Sequence, residues 1–153
     1  MIGFLTACFP LGMMAFSFMV TPINKGIGPR QSYLLSLILA ISAAFCYGIV
    51  YFVEHTLTFI MLSILGRLLH GLEDVLFEVM AIHYLQNIRG MGKDKSFATY
   101  KMGGTAGFIL GGIIAPLLCY ATDHYHAFMI YGYSFVGFFA YSYYAIPLDA
   151  EVE

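Results

Sequence analysis

The chain has 153 residues, 60% of them hydrophobic and only 10% charged, with a formal net charge of −2 and a mean hydropathy of +0.80. The charged fraction falls well under the roughly 25% of an ordinary soluble domain, and there is no basic surplus to meet nucleic acid. The composition is that of a polytopic membrane protein, and the predicted fold class is all-α with five transmembrane helices in a single domain covering residues 1–153.

Five apolar stretches come near the ~20 residues that cross a hydrocarbon core: about 2–21, 32–53, 57–84, 99–121 and 127–147. No basic leader precedes the first, which argues against a cleaved signal peptide. The connector 22–31 carries Lys25 and Arg30, and the connector 85–101 carries Arg89, Lys93, Lys95 and Lys101. The other two, around Glu54-His55 and Asp123-His124-Tyr125-His126, hold no Lys or Arg. Basic loops stay on the cytoplasmic side, so five crossings put the first residue outside and the tail inside. With no Trp in the chain, tyrosines near the span ends are expected to form the interfacial belt, among them Tyr141, Tyr143 and Tyr144. Cys8, Cys46 and Cys119 lie in apolar runs at spacings that suit neither a disulfide framework nor a zinc site.

The third stretch is the anomaly. It carries Arg67, His70, Glu73, Asp74 and Glu78 within a segment otherwise apolar enough to cross a bilayer, and intramembrane ionisable groups are costly and mark ion or substrate paths. At about 100° per residue with Arg67 as origin, His70, Gly71, Asp74 and Glu78 share one face about 100° wide, while Glu73 falls near −120° and points elsewhere. His70, Asp74 and Glu78 follow one another at spacing four, close enough to interact. Two acids beside one base cannot both ionise cheaply, so Asp74 or Glu78 is the candidate proton carrier and Arg67 the counter-charge or the ligand of an anionic group. A structural reading of Glu78, pairing with Arg30 or Lys25 at the cytoplasmic end, stands beside this one. The fourth stretch has a different signature, Gly103, Gly107, Gly111 and Ala115 at spacing four, a stripe that lets transmembrane helices approach closely. No metal site is expected: Asp123-His124-Tyr125-His126 reads as a solvated turn. Gly90-Met91-Gly92-Lys93-Asp94 lacks the hydroxyl residue and preceding strand of a phosphate loop, and no His-Glu-x-x-His pattern points to an enzyme.

Three of these segments resemble the major facilitator superfamily of transporters. Pro22-Ile23-Asn24-Lys25-Gly26-Ile27-Gly28-Pro29-Arg30 looks like the loop between its second and third helices, with Asn24 where an acid is usual. Arg67-x-x-His70-Gly71 resembles its fourth-helix motif, and the glycine stripe resembles the fifth-helix motif of its antiporters, with Gly112 in place of the usual proline. Taken in order, the five stretches resemble helices two to six of the N-terminal half, with a vesicular amine transporter-like flavour. The resemblance implies secondary, proton-coupled transport of a small solute, a gating role for Asn24, Lys25, Gly28 and Arg30, and a substrate or proton path along Arg67, His70, Asp74 and Glu78. It implies no cofactor. The expected partners are the lipid bilayer, a small-molecule substrate, protons, and a missing first helix and C-terminal half or a partner subunit. The alternative function is a non-transporting membrane scaffold that keeps a half-transporter fold.

Overall fold

The computed structural model describes residues 2–87 and 92–146. Five helices follow in order: α1 Ile2–Ile27, α2 Pro29–Ile49 extended by a 3-10 turn Val50–Phe52, α3 Thr56–Asn87, α4 Lys93–Ala121 and α5 His124–Ala145. Among the described residues there is no strand. Among the described residues three stretches are by length and composition apolar enough to cross a membrane, Leu5–Ile27, Pro29–Phe52 and Asp94–Ala121. The charged α3 and the tyrosine-rich α5 are long enough but do not join that set.

Two connectors are shorter than expected. The first helix does not stop near residue 21 but runs through Pro22 to Ile27, so Asn24 and Lys25 are helical rather than in a loop. A proline removes one backbone donor from a helix without ending it where the neighbouring turns hold. The stop is Gly28, whose φ of 83° and ψ of 161° lie in a region open essentially to glycine alone, followed by Pro29 at the favoured first position of α2. The Gly28 amide donates to the Asn24 carbonyl at 2.9 Å and its own carbonyl accepts from the Ser32 amide at 3.0 Å, closing both helix ends across one residue. Likewise α3 runs to Asn87 and α4 begins at Lys93, which puts Lys95 and Lys101 on a helix; Arg89 lies outside the described residues.

The core is built on α2 and α3. Leu34, Leu37, Ala40, Ala43 and Ala44 of α2 and Leu76 and Met80 of α3 are buried, and Tyr33 of α2 packs its ring on Phe77 and Tyr84 of α3 at 5.5 and 6.3 Å. On the other side of α2, Gly48 lies under Met129 and Gly132 lies against Ala44, which seats α5. Helix α1 reaches α3 through glycine: a Cβ on Gly71 would stand 2.8 Å from the Phe9 carbonyl oxygen and 3.0 Å from the Met13 nitrogen, and one on Gly12 would stand 3.4 Å from the Leu68 backbone. Helix α4 is the exception. From Phe97 to Ala121 no residue is buried, and it meets α3 and α5 only along narrow lines.

The stripe Gly103, Gly107, Gly111 and Ala115 is therefore not a packing seam inside this chain. All four are exposed, and a Cβ at any of the three glycines would meet nothing within 4 Å. Spacing alone gives a stripe its capacity for close approach, but a second helix has to lie on it, and here α1 and α5 lie elsewhere.

Replacing Gly71 by Ala is expected to lower stability by about 1–3 kcal/mol, because the added methyl meets backbone that cannot rotate away. Gly107→Ala is expected to leave stability unchanged or raise it by up to about 1 kcal/mol through helix propensity. Melting temperatures of the two variants in detergent check the contrast, and equal losses would show that Gly71 is not at a close crossing.

Candidate functional site

Helix α3 has two sides. Its large exposed apolar residues, among them Met61, Leu65 and Val79, fall at about +120° to +160° from Arg67, whereas Arg67, His70, Asp74 and Glu78 gather within about 60° of the origin on the opposite side. Two flanks between them are covered. Gly71 and Leu68 meet α1, while Gly66 and Phe77 meet Tyr47 and Tyr33 of α2. The polar face is left looking toward α4 and α5, which follows from where the two glycines let neighbouring helices lie.

Along that face each charge has a distinct neighbour. Arg67 holds its guanidinium carbon 5.5 Å from the centre of the Tyr47 ring. His70 packs its ring at a tilt against Phe9 of α1 with ring centres 5.1 Å apart, and its Nδ1 lies 3.1 Å from Glu73 Oε2. Glu78 Oε1 accepts a hydrogen bond from Lys101 Nζ of α4 at 2.8 Å. The same ammonium sits 5.6 Å from the ring centres of both Phe97 and Tyr100. Asp74, half-buried between these pairs, forms no hydrogen bond or ion pair among the described residues; its charged neighbours are His70, Glu78 and Lys101. A shallow groove of about 330 Å³ lies along α4, lined by Tyr100, Lys101, Gly104, Thr105 and Phe108.

Three expectations need correction. His70 turns to Glu73 rather than to Asp74, since a partner three residues on is as near as one four residues on, and the buried Glu73, 7% exposed, gains from the neighbouring donor. Glu73 thus belongs to the cluster from which its angle excluded it. Glu78 pairs with neither Arg30 nor Lys25 but with Lys101, which an antiparallel neighbour places at the same height along α3.

The corner residues Asn24, Lys25, Gly28 and Arg30 do come together at one end of the bundle, yet Arg30 reaches across to α5. Its Nη2 donates to the Tyr143 carbonyl at 2.6 Å, and its guanidinium carbon lies 5.1 Å from the Tyr143 ring centre. Asn24 Oδ1 accepts from the buried Ser32 hydroxyl at 3.5 Å. Tyr143, expected as an interfacial anchor, is thus also a tie between α2 and α5. Among the described residues no group of three or more His, Cys, Asp or Glu side chains is placed to hold a metal ion.

Tyr47 and Gly66 were missed from the sequence. A Cβ on Gly66 would stand 2.8 Å from Tyr47 Cε1, so the ring lies directly on the α3 backbone, with Phe128 of α5 against it at 5.5 Å. The only signal was a glycine one residue before Arg67, and nothing in the sequence pairs it with residue 47.

At the far end, Asp123 caps α5. Its Oδ1 accepts from the His126 amide at 2.9 Å and stands 2.9 Å from His126 Nδ1. No family model, curated protein or solved structure matches the chain.

The Asp123 cap makes a pH prediction. The His126 backbone hydrogen bond, followed by the contact to its ring, holds the Asp123 carboxyl below the usual carboxylate range. A depressed folded value means the contribution of the ionised cap is present above that range and is lost as pH falls through the folded value. Asn at this position caps without ionising. Melting temperatures of wild type and Asp123→Asn are therefore expected to converge or cross as pH drops from 7 to below about 4, and parallel profiles across that range would show that the carboxylate charge is not used.

Proposed function

We propose that the chain is an integral membrane bundle forming one wall of a secondary transporter, the counterpart of helices two to six of a major facilitator N-terminal half, and that it moves a small solute together with protons. The observation that carries this reading is the polar face of α3: Arg67, His70, Asp74 and Glu78 on a helix of membrane length, facing inward past α1 and α2, with Asp74 lacking a partner. Intramembrane charges are retained where they serve a path. The basic residues beside α1–α2 and α3–α4 orient the bundle with its first residue outside and these corners in the cytoplasm.

Each residue then has a role. Asp74, free of any bond that would fix its charge state, carries the proton. Glu78, neutralised by Lys101, ties α4 to α3. The His70–Glu73 pair fixes the α3 surface against α1. Transport by alternating access works by one bundle rocking against another around a midplane site, so a second wall from further sequence or a partner subunit completes the cavity. A scaffold role is the second reading, and the uncovered length of α4 is what favours it, because a face that no described segment covers is suited to a partner.

Proteoliposomes of the full gene product, with the pH dye pyranine trapped inside, separate the two. Sugars, amino acids, and mono- and dicarboxylates are added outside one at a time. Transport predicts that at least one solute drives proton movement and that Asp74→Asn abolishes the coupling, with a loss of at least about tenfold in rate. Solute-driven proton movement that Asp74→Asn leaves intact removes the proton role, and none with any solute leaves the scaffold.

A further inference from the structure

Two groups at the junction of α2, α3 and α5 lack partners that their chemistry calls for. Arg67 makes no ion pair and no hydrogen bond among the described residues; the Tyr47 ring is its neighbour, 5.5 Å from ring centre to guanidinium carbon. The Tyr47 hydroxyl oxygen is buried and has no hydrogen-bond partner. An arginine cannot shed its proton to escape a low-dielectric setting, and a ring face offsets only part of the lost hydration, about 2 kcal/mol when desolvated. A buried hydroxyl left unsatisfied costs a further ~1–3 kcal/mol.

The ring that carries this hydroxyl is held from two sides. Gly66 offers it a surface without a side chain, and Phe128 closes on it at 5.5 Å. Tyr131 of α5 lies within electrostatic reach of the same hydroxyl. A side chain fixed this way, with its polar end unused, is positioned for a ligand rather than adjustable around water.

We propose that Arg67 and Tyr47 form a binding site for an oxyanion, with the guanidinium fork holding the anionic oxygens and the Tyr47 hydroxyl donating to one of them. An oxyanion is the ligand class that both groups share. Arginine only donates, a phenol donates readily, and a planar carboxylate matches the guanidinium fork with two parallel hydrogen bonds. Gly66 acts as a positioning residue, because any side chain there displaces the ring. In assigning this anion as cargo the inference rests on the transport reading, whereas the binding site itself does not. The oxygens can come from a small soluble acid or from a lipid headgroup, and the two sources are separated below.

The test is thermal stabilisation of the full gene product in an uncharged detergent. A thiol-reactive dye follows unfolding through Cys8, which is buried, and Cys46, which is partly buried, over a constant signal from the exposed Cys119. Acetate, benzoate and phosphate are titrated against chloride at equal ionic strength. In parallel, lipid discs of phosphatidylcholine alone are compared with discs containing phosphatidylglycerol.

The oxyanions are expected to raise the melting temperature where chloride does not. Arg67→Gln should weaken the apparent affinity by about tenfold or more, in line with a charge-assisted bond. Tyr47→Phe should weaken it by about two- to tenfold, as for a neutral bond, with Gly66→Ala in the same direction. Lys95→Gln should leave it unchanged and Arg67→Lys should restore part of it. Equal shifts in wild type and Arg67→Gln, or a chloride shift as large as that of acetate, would overturn the site. A shift that depends on Arg67 but comes only from phosphatidylglycerol would place a net-anionic lipid headgroup there and overturn its use for cargo. If oxyanions bind while no solute drives proton movement, the transport reading fails and the site stands; solute-driven proton movement without oxyanion binding reverses that outcome.

Discussion

Everything in this bundle is referred to α3, and α3 is positioned by the places where its own side chains are missing. At Gly71 the backbone of α1 comes within 3.0 Å of where a Cβ would be, and at Gly66 the Tyr47 ring does the same from α2. On the membrane reading there is little hydrophobic drive between apolar helices, so close van der Waals approach decides which faces meet. The two glycines are five residues apart, about 140° around the helix, and they put α1 and α2 on well-separated flanks. What lies between those flanks is the line from Arg67 to Glu78. The polar face is inward because the glycines are where they are.

The charges on that line are handled in three ways. Glu73, the most buried of them, is joined to His70 on its own helix. Glu78 is joined to Lys101 on the neighbouring helix. Arg67 rests on a ring, which attracts a cation without cancelling its charge. Only Asp74 has neither partner nor ring. A carboxylate surrounded by satisfied neighbours is the one whose protonation changes least else in the structure, which supports the proposal of Asp74 rather than Glu78 as a proton carrier.

The existence of five helices was legible from apolar length alone, because a span of hydrocarbon thickness needs about 20 apolar residues whatever their order. The ends were not. Pro22 reads as a stop, but one lost donor does not outweigh the turns on either side, and the real stop is the positive φ of Gly28. The polar face of α3 was legible from its period, yet the pairing on it was not, since spacings of three and four are equally near on a helix and the choice follows from what packs alongside. Lys101 stands where the predicted connector 85–101 and the predicted span 99–121 overlap, and the helix in fact begins at Lys93, about two turns earlier. Tyr47 and Gly66 were invisible because their contact joins two helices across a turn, and no local pattern encodes it.

Helix α4 has five glycines between Lys93 and Ala121, and none of them is covered by the chain. Each lowers helix stability by about 0.8–1.0 kcal/mol relative to alanine, so the element with the fewest tertiary contacts also has weak intrinsic support. The ion pair that ties it to the bundle, Lys101 with Glu78, has both side chains roughly half exposed, where such pairs contribute about 1 kcal/mol or less. Elements that must move are drawn from the weakly held end of a structure. In a transporter, the wall beside an unpartnered carboxylate has to part from it once per cycle. Under that reading the slack packing of α4 and the solitary position of Asp74 are two aspects of one requirement: the proton site must be reachable, and the helix that covers it must let go at little cost.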